Sequence, residues 1–281
     1  MRSAGPPQVP SGAVPPAKRF GQHFLTDKKV IGRIITAFAP QPEETIVEIG
    51  PGKGALTAHL IRSAGSVVAV ELDRRLAPFL QEQFGSHQNF KLLECDALTL
   101  DFCKAISPAP EARLIANLPY NIATAILQRL IEQRHCITEM VLMLQREVVE
   151  RMTAASGSSE RGYLSVLVEA YTETEKLFDV APGSFRPPPK VWSSVVRVRF
   201  RRELPFEAAS EALFWSVVSA GFAQRRKTIL NNLRSAPEPL AELLQRHGGA
   251  SIVLCRADVE LKRRAETFTL TEWGRIVRAL E

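Results

Sequence analysis

Val47-Glu48-Ile49-Gly50-Pro51-Gly52-Lys53-Gly54-Ala55 decides the fold. The apolar run Thr45–Ile49 stops at a glycine-rich turn, and a helical pattern, Gly54–Ser63, starts at once. Glycines let a backbone approach a ligand closely, and the first N–H groups of a helix have no partner within it. Outward from this turn, short runs rich in Val, Ile or Leu recur at Ser66–Glu71, Phe90–Glu94 and Arg113–Ala116. Helical patterns lie between and after them, at Leu76–Phe84 and Ile122–His135, while Leu98–Glu111 is poorly patterned. A fifth run, Met140–Leu144, leads into a helix through Arg151. Strands alternating with helices predict a parallel sheet covered on both faces.

Upstream, Val30, Ile31, Ile34, Ile35 and Phe38 recur at helical spacing until Pro40 and Pro42. Downstream, Leu164–Tyr171 predicts a helix, and Thr172–Val180 and Ser193–Arg201 predict two more strands, seven in all. After Pro205 the patterns are helical only: Ala209–Ala223, Arg226–Leu233, Leu240–His247 and Thr271–Leu280. Residues 1–17 carry five prolines and no apolar core of a signal peptide, which predicts a disordered extension. The predicted organisation is a tail at 1–17, an α/β domain at 18–204 and a small all-α domain at 205–281.

The 281 residues are 45% hydrophobic and 23% charged, which excludes wholesale disorder. No apolar run has the length of a membrane span, so no membrane partner is expected. The net charge of +6 permits an anionic partner without naming one. Cys95, Cys103, Cys136 and Cys255 form no C-x-x-C, and the histidines no H-E-x-x-H. Neither a zinc site nor a disulfide framework has support in the sequence, and a reducing, cytoplasmic setting is expected.

Glu71 stands 21 residues after Gly50, where such folds place an acceptor for ribose hydroxyls. Gly50-x-Gly52-x-x-Ala55 also satisfies the dinucleotide pattern, and a tight turn without a ligand is a further alternative. Two carboxylates favour S-adenosylmethionine over NAD. Glu48 is placed to reach the amino-acid end of the ligand. Asp96, at the end of the third run, can accept from an adenine amino group, or it can cap a helix.

The fourth run ends in Asn117-Leu118-Pro119-Tyr120. The N6 lone pair of adenine is delocalised into the ring, so the nitrogen attacks poorly. The side-chain oxygen of Asn117 and the carbonyl of Leu118 can hold its two hydrogens and favour attack. Pro119 biases Leu118 toward an extended backbone, and Tyr120 offers a flat face to a base. Methyl transfer from a sulfonium needs neither a metal nor a strong base, so positioning is the main catalytic effect expected. The alternative is a turn that merely ends a strand.

These motifs occur in order with others: Lys18-Arg19-Phe20-Gly21-Gln22-His23-Phe24-Leu25, Glu71-Leu72-Asp73, Asp96-Ala97, Leu144-Gln145-Arg146-Glu147-Val148 and Phe185-Arg186-Pro187-Pro188-Pro189-Lys190-Val191. Together they resemble the ribosomal RNA adenine dimethyltransferase family. Phe222-Ala223-Gln224-Arg225-Arg226-Lys227-Thr228 is more similar to the branch acting on small-subunit RNA than to the resistance branch acting on large-subunit RNA. The resemblance implies a Rossmann-like class I methyltransferase domain, with a mostly parallel seven-stranded sheet, and a helical C-terminal domain. It implies N6,N6-dimethylation of two adjacent adenines near the 3′ end of small-subunit (16S) RNA, within an immature 30S-type subunit, by a monomer using S-adenosylmethionine and no metal. It implies cofactor contacts at His23, Leu25, Gly50, Glu71, Asp96 and Asn117. The family often has Asn in place of His23. Leu at position 118 goes with the dimethylating branch. The implied catalytic set is Asn117, Leu118, Pro119, Tyr120 and Phe185, with Phe185 facing the target base opposite Tyr120.

Arg186, Lys190, Arg197, Arg199, Arg201 and Arg202 form one basic cluster, Arg225–Lys227 a second and Lys262–Arg264 a third. Beside a base-stacking site they suggest phosphate contacts. Two rivals remain. One is a non-catalytic RNA- or DNA-binding relative, against which the intact Asn117–Tyr120 and Glu71 argue. The other is a dinucleotide oxidoreductase, which leaves that tetrapeptide unexplained.

Overall fold

The computed structural model describes residues 22–119, 122–205 and 210–281. The expectations for the tail at 1–17, for Lys18–Gly21 and for Tyr120 and Asn121 lie outside the described residues.

In chain order, β1 (Phe24–Leu25) and α1 (Lys28–Phe38) precede the main alternation. That alternation is β2 (Thr45–Ile49), α2 (Thr57–Ser63), β3 (Ser66–Val70), α3 (Ala77–Phe84), β4 (Phe90–Leu93), α4 (Phe102–Ala105), β5 (Ala112–Asn117), α5 (Ala123–Glu132) and β6 (Ile137–Gln145). There follow α6 (Arg146–Met152), α7 (Tyr163–Tyr171), β7 (Thr172–Val180), β8 (Phe185–Arg186) and β9 (Ser193–Phe200). The chain ends in α8 (Glu211–Gly221), α9 (Ile229–Arg234), α10 (Leu240–Arg246), α11 (Ala250–Arg256) and α12 (Leu270–Arg278).

Seven strands form one sheet in the order β4-β3-β2-β5-β6-β9-β7. The first five are mutually parallel, and β9 runs antiparallel to β6. Ile46, Val47, Val67, Leu114 and Ile115 are fully buried, as continuous apolar runs in a doubly covered parallel sheet require. The strand order reverses direction between β2 and β5, and such switch points open a crevice outside the carboxyl ends of the strands. Ile49 of β2 pairs with Ala116 of β5, so the glycine turn and Asn117 emerge side by side at that crevice.

The turn depends on its glycines. Gly50, Gly52 and Gly54 have φ of 67°, 58° and 76°. A Cβ on Gly54 would stand 2.3 Å from Cε2 of Phe84, a core ring. Gly54→Ala is therefore expected to destabilise the protein by about 1–3 kcal/mol through overpacking and backbone strain. Chemical denaturation checks this, and an unchanged midpoint would remove Phe84 as the constraint.

Contacts divide the chain into two units. Among the described residues, one holds nearly all of the sheet, in those up to 149 and in 174–200; the other joins 150–173 to those from 201 on. The boundary expected at 204/205 therefore misses a segment. Residues 150–173 pack with the C-terminal helices because their large side chains find partners there. Tyr171 stacks on Trp215 with ring centroids 5.0 Å apart, and its hydroxyl donates to Glu211 at 2.9 Å. The backbone N–H of Gly157 donates to the carbonyl of Glu266 at 2.8 Å. In the same unit α12 opens with a Thr269–Glu272 capping box and buries Trp273 against Gly221, where any Cβ would clash with the indole.

One expectation about cysteine is corrected. Cys103 and Cys136 form a disulfide, with Cα atoms 5.5 Å apart, although 33 positions separate them. Motif spacing could not show this, because the β5 crossover is what brings α4 beside the end of α5.

Candidate active site

The cleft at the switch point is lined by the glycine turn, the ends of β3 and β5, the start of the segment after β4, and residues 22–25. Each expected cofactor residue is on its wall: His23, Leu25, Gly50, Glu71, Asp96 and Asn117. Leu118 and Pro119 line it too.

Buried acids support the turn. Glu71, 6% exposed, accepts from the N–H of Gly52 at 3.2 Å and of Asp73 at 2.9 Å. Burial raises its pKa, and those backbone donors oppose the rise. Glu48, 2% exposed, accepts from the Thr57 hydroxyl at 2.6 Å. Burial pushes Glu48 up to about 7; the Thr57 hydrogen bond opposes the shift and the neighbouring charge of Glu71 adds to it. Asp96 Oδ1 accepts from the N–H of Leu98 at 2.9 Å, which makes an Asx turn rather than a helix cap.

Residues 22–25 reach the cleft through long-range anchors. β1 pairs antiparallel with β8, Leu25 opposite Phe185 and Phe24 opposite Arg186. A ring nitrogen of His23 lies 2.8 Å from the carbonyl of Pro187. Gln22 donates to Asp73 at 2.9 Å, and Arg75 holds Asp73 at about 2. Asn117 Nδ2 donates to the His23 carbonyl at 3.3 Å. That bond commits the amide nitrogen to the protein and leaves the amide oxygen as the acceptor the side chain can offer.

Phe185 does not line the cleft. It is 1% exposed and belongs to the core of the sheet unit. The exposed face expected of it is turned inward, because β8 pairing with β1 seats the ring among apolar neighbours. Its observed contribution is to fix Leu25, its partner across the two strands. Tyr120 lies outside the described residues.

Several lining residues were not expected from the sequence: Gln22, Phe24, Lys53, Ile122 and Ile126. Lys53 stands between Gly52 and Gly54, and its Nζ sits 5.2 Å from the Phe24 ring centroid. The leucine of Glu71-Leu72 lies on the cleft wall and is 46% exposed.

The first basic cluster is partly spent within the protein. Arg197 pairs with Glu175 at 3.1 Å, Arg199 with Glu139 at 2.7 Å and Arg201 with Glu173 at 2.9 Å. Arg199 sits opposite Glu139 near the start of β6, at the end of the strands away from the cleft. Arg263 is likewise engaged by Glu272. Arg186, Lys190 and Arg225–Lys227 are exposed.

The residues present fit S-adenosylmethionine. Two glycines at positive φ make a cradle that side chains would fill, and three acids face a cleft suited to a cationic ligand. Leu72 and Ala97 supply apolar walls for a purine.

Comparison with known proteins agrees with this geometry. The chain is 46% identical over 217 residues, 77% of its length and 80% of the relative's, to ribosomal RNA small subunit methyltransferase A of Hahella chejuensis. It is 42% identical over 256 residues, 91% of both chains, to the protein of that name from Saccharophagus degradans. Among solved structures, the 23S rRNA methyltransferase ErmE superposes with a TM-score of 0.65 at 28% identity, covering 92% of this chain and 99% of that one. A dimethyladenosine transferase from Plasmodium falciparum superposes with a TM-score of 0.73 at 23% identity, covering 90% and 96%, which shows the shared fold. With its residues 16–275 matched by the model of the ribosomal RNA adenine dimethylase family, the chain belongs to that family.

Proposed function

We propose that this chain dimethylates N6 of two adjacent adenines near the end of small-subunit ribosomal RNA, with S-adenosylmethionine as the methyl donor. The observation that carries this reading is Asn117 on the wall of the glycine-turn cleft, its amide nitrogen anchored on the His23 carbonyl, which leaves its oxygen as the acceptor it has for an amino group. The relatives from Hahella chejuensis and Saccharophagus degradans carry a small-subunit name over 77% and 91% of the chain, which supports that RNA over the large-subunit one.

In this reading the donor supplies a methyl group on sulfur with a good leaving group. Gly50 and Gly52 admit its amino-acid end, Glu48 faces the ammonium, Glu71 accepts from the ribose and Asp96 from the adenine amino group. His23 and Leu25 close the near wall. Asn117 and the Leu118 carbonyl hold the N6 hydrogens of the target, and Tyr120 stacks on its ring. Phosphates are met by Arg186, Lys190 and Arg225–Lys227, which are exposed, as Arg202, Lys262 and Arg264 of the same clusters also are. The protein works as a cytoplasmic monomer on an immature small subunit, without a metal.

Nucleoside mass spectrometry tests this directly. Unmethylated small subunits incubated with the protein and S-adenosylmethionine should gain N6,N6-dimethyladenosine. Cofactor binding with no dimethyladenosine on any immature subunit would favour a binding protein instead.

Glu71→Ala is expected to weaken cofactor binding by about 1.5–3 kcal/mol, the range for hydrogen bonds to a charged acceptor. Calorimetry on the folded variant reads this, and unchanged affinity removes Glu71 from the ribose.

A further inference from the structure

The cleft makes no use of the sulfur pair at the opposite end of the strands. Cys136 immediately precedes the first residue of β6, and Cys103 lies in α4, ahead of β5. We propose that Cys103 and Cys136 form a reversible thiol modification site: Cys103 exchanges with low-molecular-weight thiols and disulfides of the glutathione class, Cys136 is the resolving sulfur, and His135 is the hydrogen-bond partner of Cys103.

Three observations carry this. The two sulfurs are unequally accessible: Cys103 is partly exposed, whereas Cys136 is 3% exposed. An incoming thiolate can therefore reach Cys103, with Cys136 as the leaving sulfur. Second, His135 Nε2 lies 3.0 Å from Cys103 Sγ. A ring N–H in that place donates to the sulfur when it becomes a thiolate, which favours the reactive form. Third, the two segments are held together without the bridge. The Phe102 N–H donates to Gln133 Oε1 at 2.6 Å. Leu100 O accepts from Gln133 Nε2 at 2.9 Å and from Arg129 at 3.2 Å. Reduction thus leaves the thiols as neighbours, ready to close again. Bridges with an accessible sulfur are the labile kind in a reducing compartment.

The exchange balances in both directions. In reduction, a glutathione thiolate attacks Cys103 Sγ, the Cys103–Cys136 bond breaks, and Cys136 leaves as a thiolate that takes a proton from solvent. A second glutathione thiolate attacks the glutathione sulfur of the mixed disulfide and releases Cys103 with oxidised glutathione. Two electrons pass from two thiols to one disulfide. Oxidation runs the same steps backward, with Cys103 attacking oxidised glutathione and Cys136 displacing the bound glutathione.

The same three donor atoms lie within 4.8 Å of one another, which also suits a soft divalent ion when the sulfurs are reduced. One experiment separates the two readings. The full chain is equilibrated in glutathione buffers from fully reduced to fully oxidised, alkylated, and read by intact mass and non-reducing peptide mapping. The expected result is the loss of two alkylatable thiols at the oxidised end, mapped to a Cys103–Cys136 peptide and reversed by dithiothreitol. Cys95 and Cys255, which form no disulfide in the chain, are followed separately in the map, where glutathione taken up by exposed Cys255 appears as an adduct and not as a bridge. Cys136→Ser should hold one glutathione on Cys103, and His135→Ala should slow alkylation of Cys103 near neutral pH by about threefold or more. Alkylation of all four thiols at every buffer ratio overturns the proposal. So does a stoichiometric zinc ion in native mass spectra of the reduced chain that Cys103→Ser abolishes.

Discussion

Asn117→Ala lowers turnover about 10²–10³-fold, the usual cost of one preorganised polar group at a reacting centre. The side chain ends β5, and its amide nitrogen is already spent on the His23 carbonyl at 3.3 Å. The oxygen is therefore the acceptor that this cleft-lining side chain has to offer, and an exocyclic amine has two hydrogens to place. Alanine keeps the strand: residue 117 still pairs with Met143, and the next N–H, that of Leu118, still donates to the Met143 carbonyl at 3.1 Å. The loss is thus expected in methyl transfer and not in folding. RNA affinity should survive, because phosphate contacts dominate it and lie elsewhere. The variant should bind immature subunits and compete with the parent while leaving them unmethylated. Thermal melting, subunit pull-down and nucleoside mass spectrometry together decide. Near-normal methylation by a folded variant would return Asn117 to the role of a residue that ends a strand.

The parts of the site that lie at strand ends were legible in the sequence. A parallel strand is a short apolar run, and its carboxyl end is where the run stops, so the sequence alone places Gly50, Glu71, Asp96 and Asn117. Features that need pairing across the chain were not legible. Phe185 sits beside Leu25 because two two-residue strands meet across 160 positions, and neither strand has a pattern of its own. The bridge between Cys103 and Cys136 depends on a crossover that brings α4 to the end of α5. Helix α11 escaped for a local reason. Ile252-Val253-Leu254-Cys255 is a contiguous apolar run with β-branched residues, and packing of Val253 and Leu254, both fully buried, decides its state. Composition alone also overstated the basic surface: Arg197 and Arg199 look like phosphate ligands until Glu139 and Glu175 are seen beside them.

Glu48→Gln is expected to stabilise the ligand-free protein above neutral pH by about 3 kcal/mol, and to do nothing near pH 4. The carboxyl is 2% exposed, and burial lifts it from an ordinary 4.5 to about 7. Below 4.5 both the folded and the unfolded chain hold the proton, so the group costs nothing. Between 4.5 and about 7 the folded chain keeps a proton that the unfolded chain has released, and stability falls as pH rises. Above about 7 the folded chain carries a buried carboxylate, and the penalty is complete. Glutamine keeps the shape and can still accept from the Thr57 hydroxyl, but it never ionises. Denaturation curves for parent and variant should therefore coincide in acid and separate as pH rises, with the parent the less stable. The same substitution should weaken cofactor binding, since a carboxylate facing an ammonium is what the proposed site uses. A protein keeps a destabilising buried charge where function needs it. Parallel curves at all pH values would mean that Glu48 ionises normally in the fold, and its place beside Thr57 would then need no ligand to explain it.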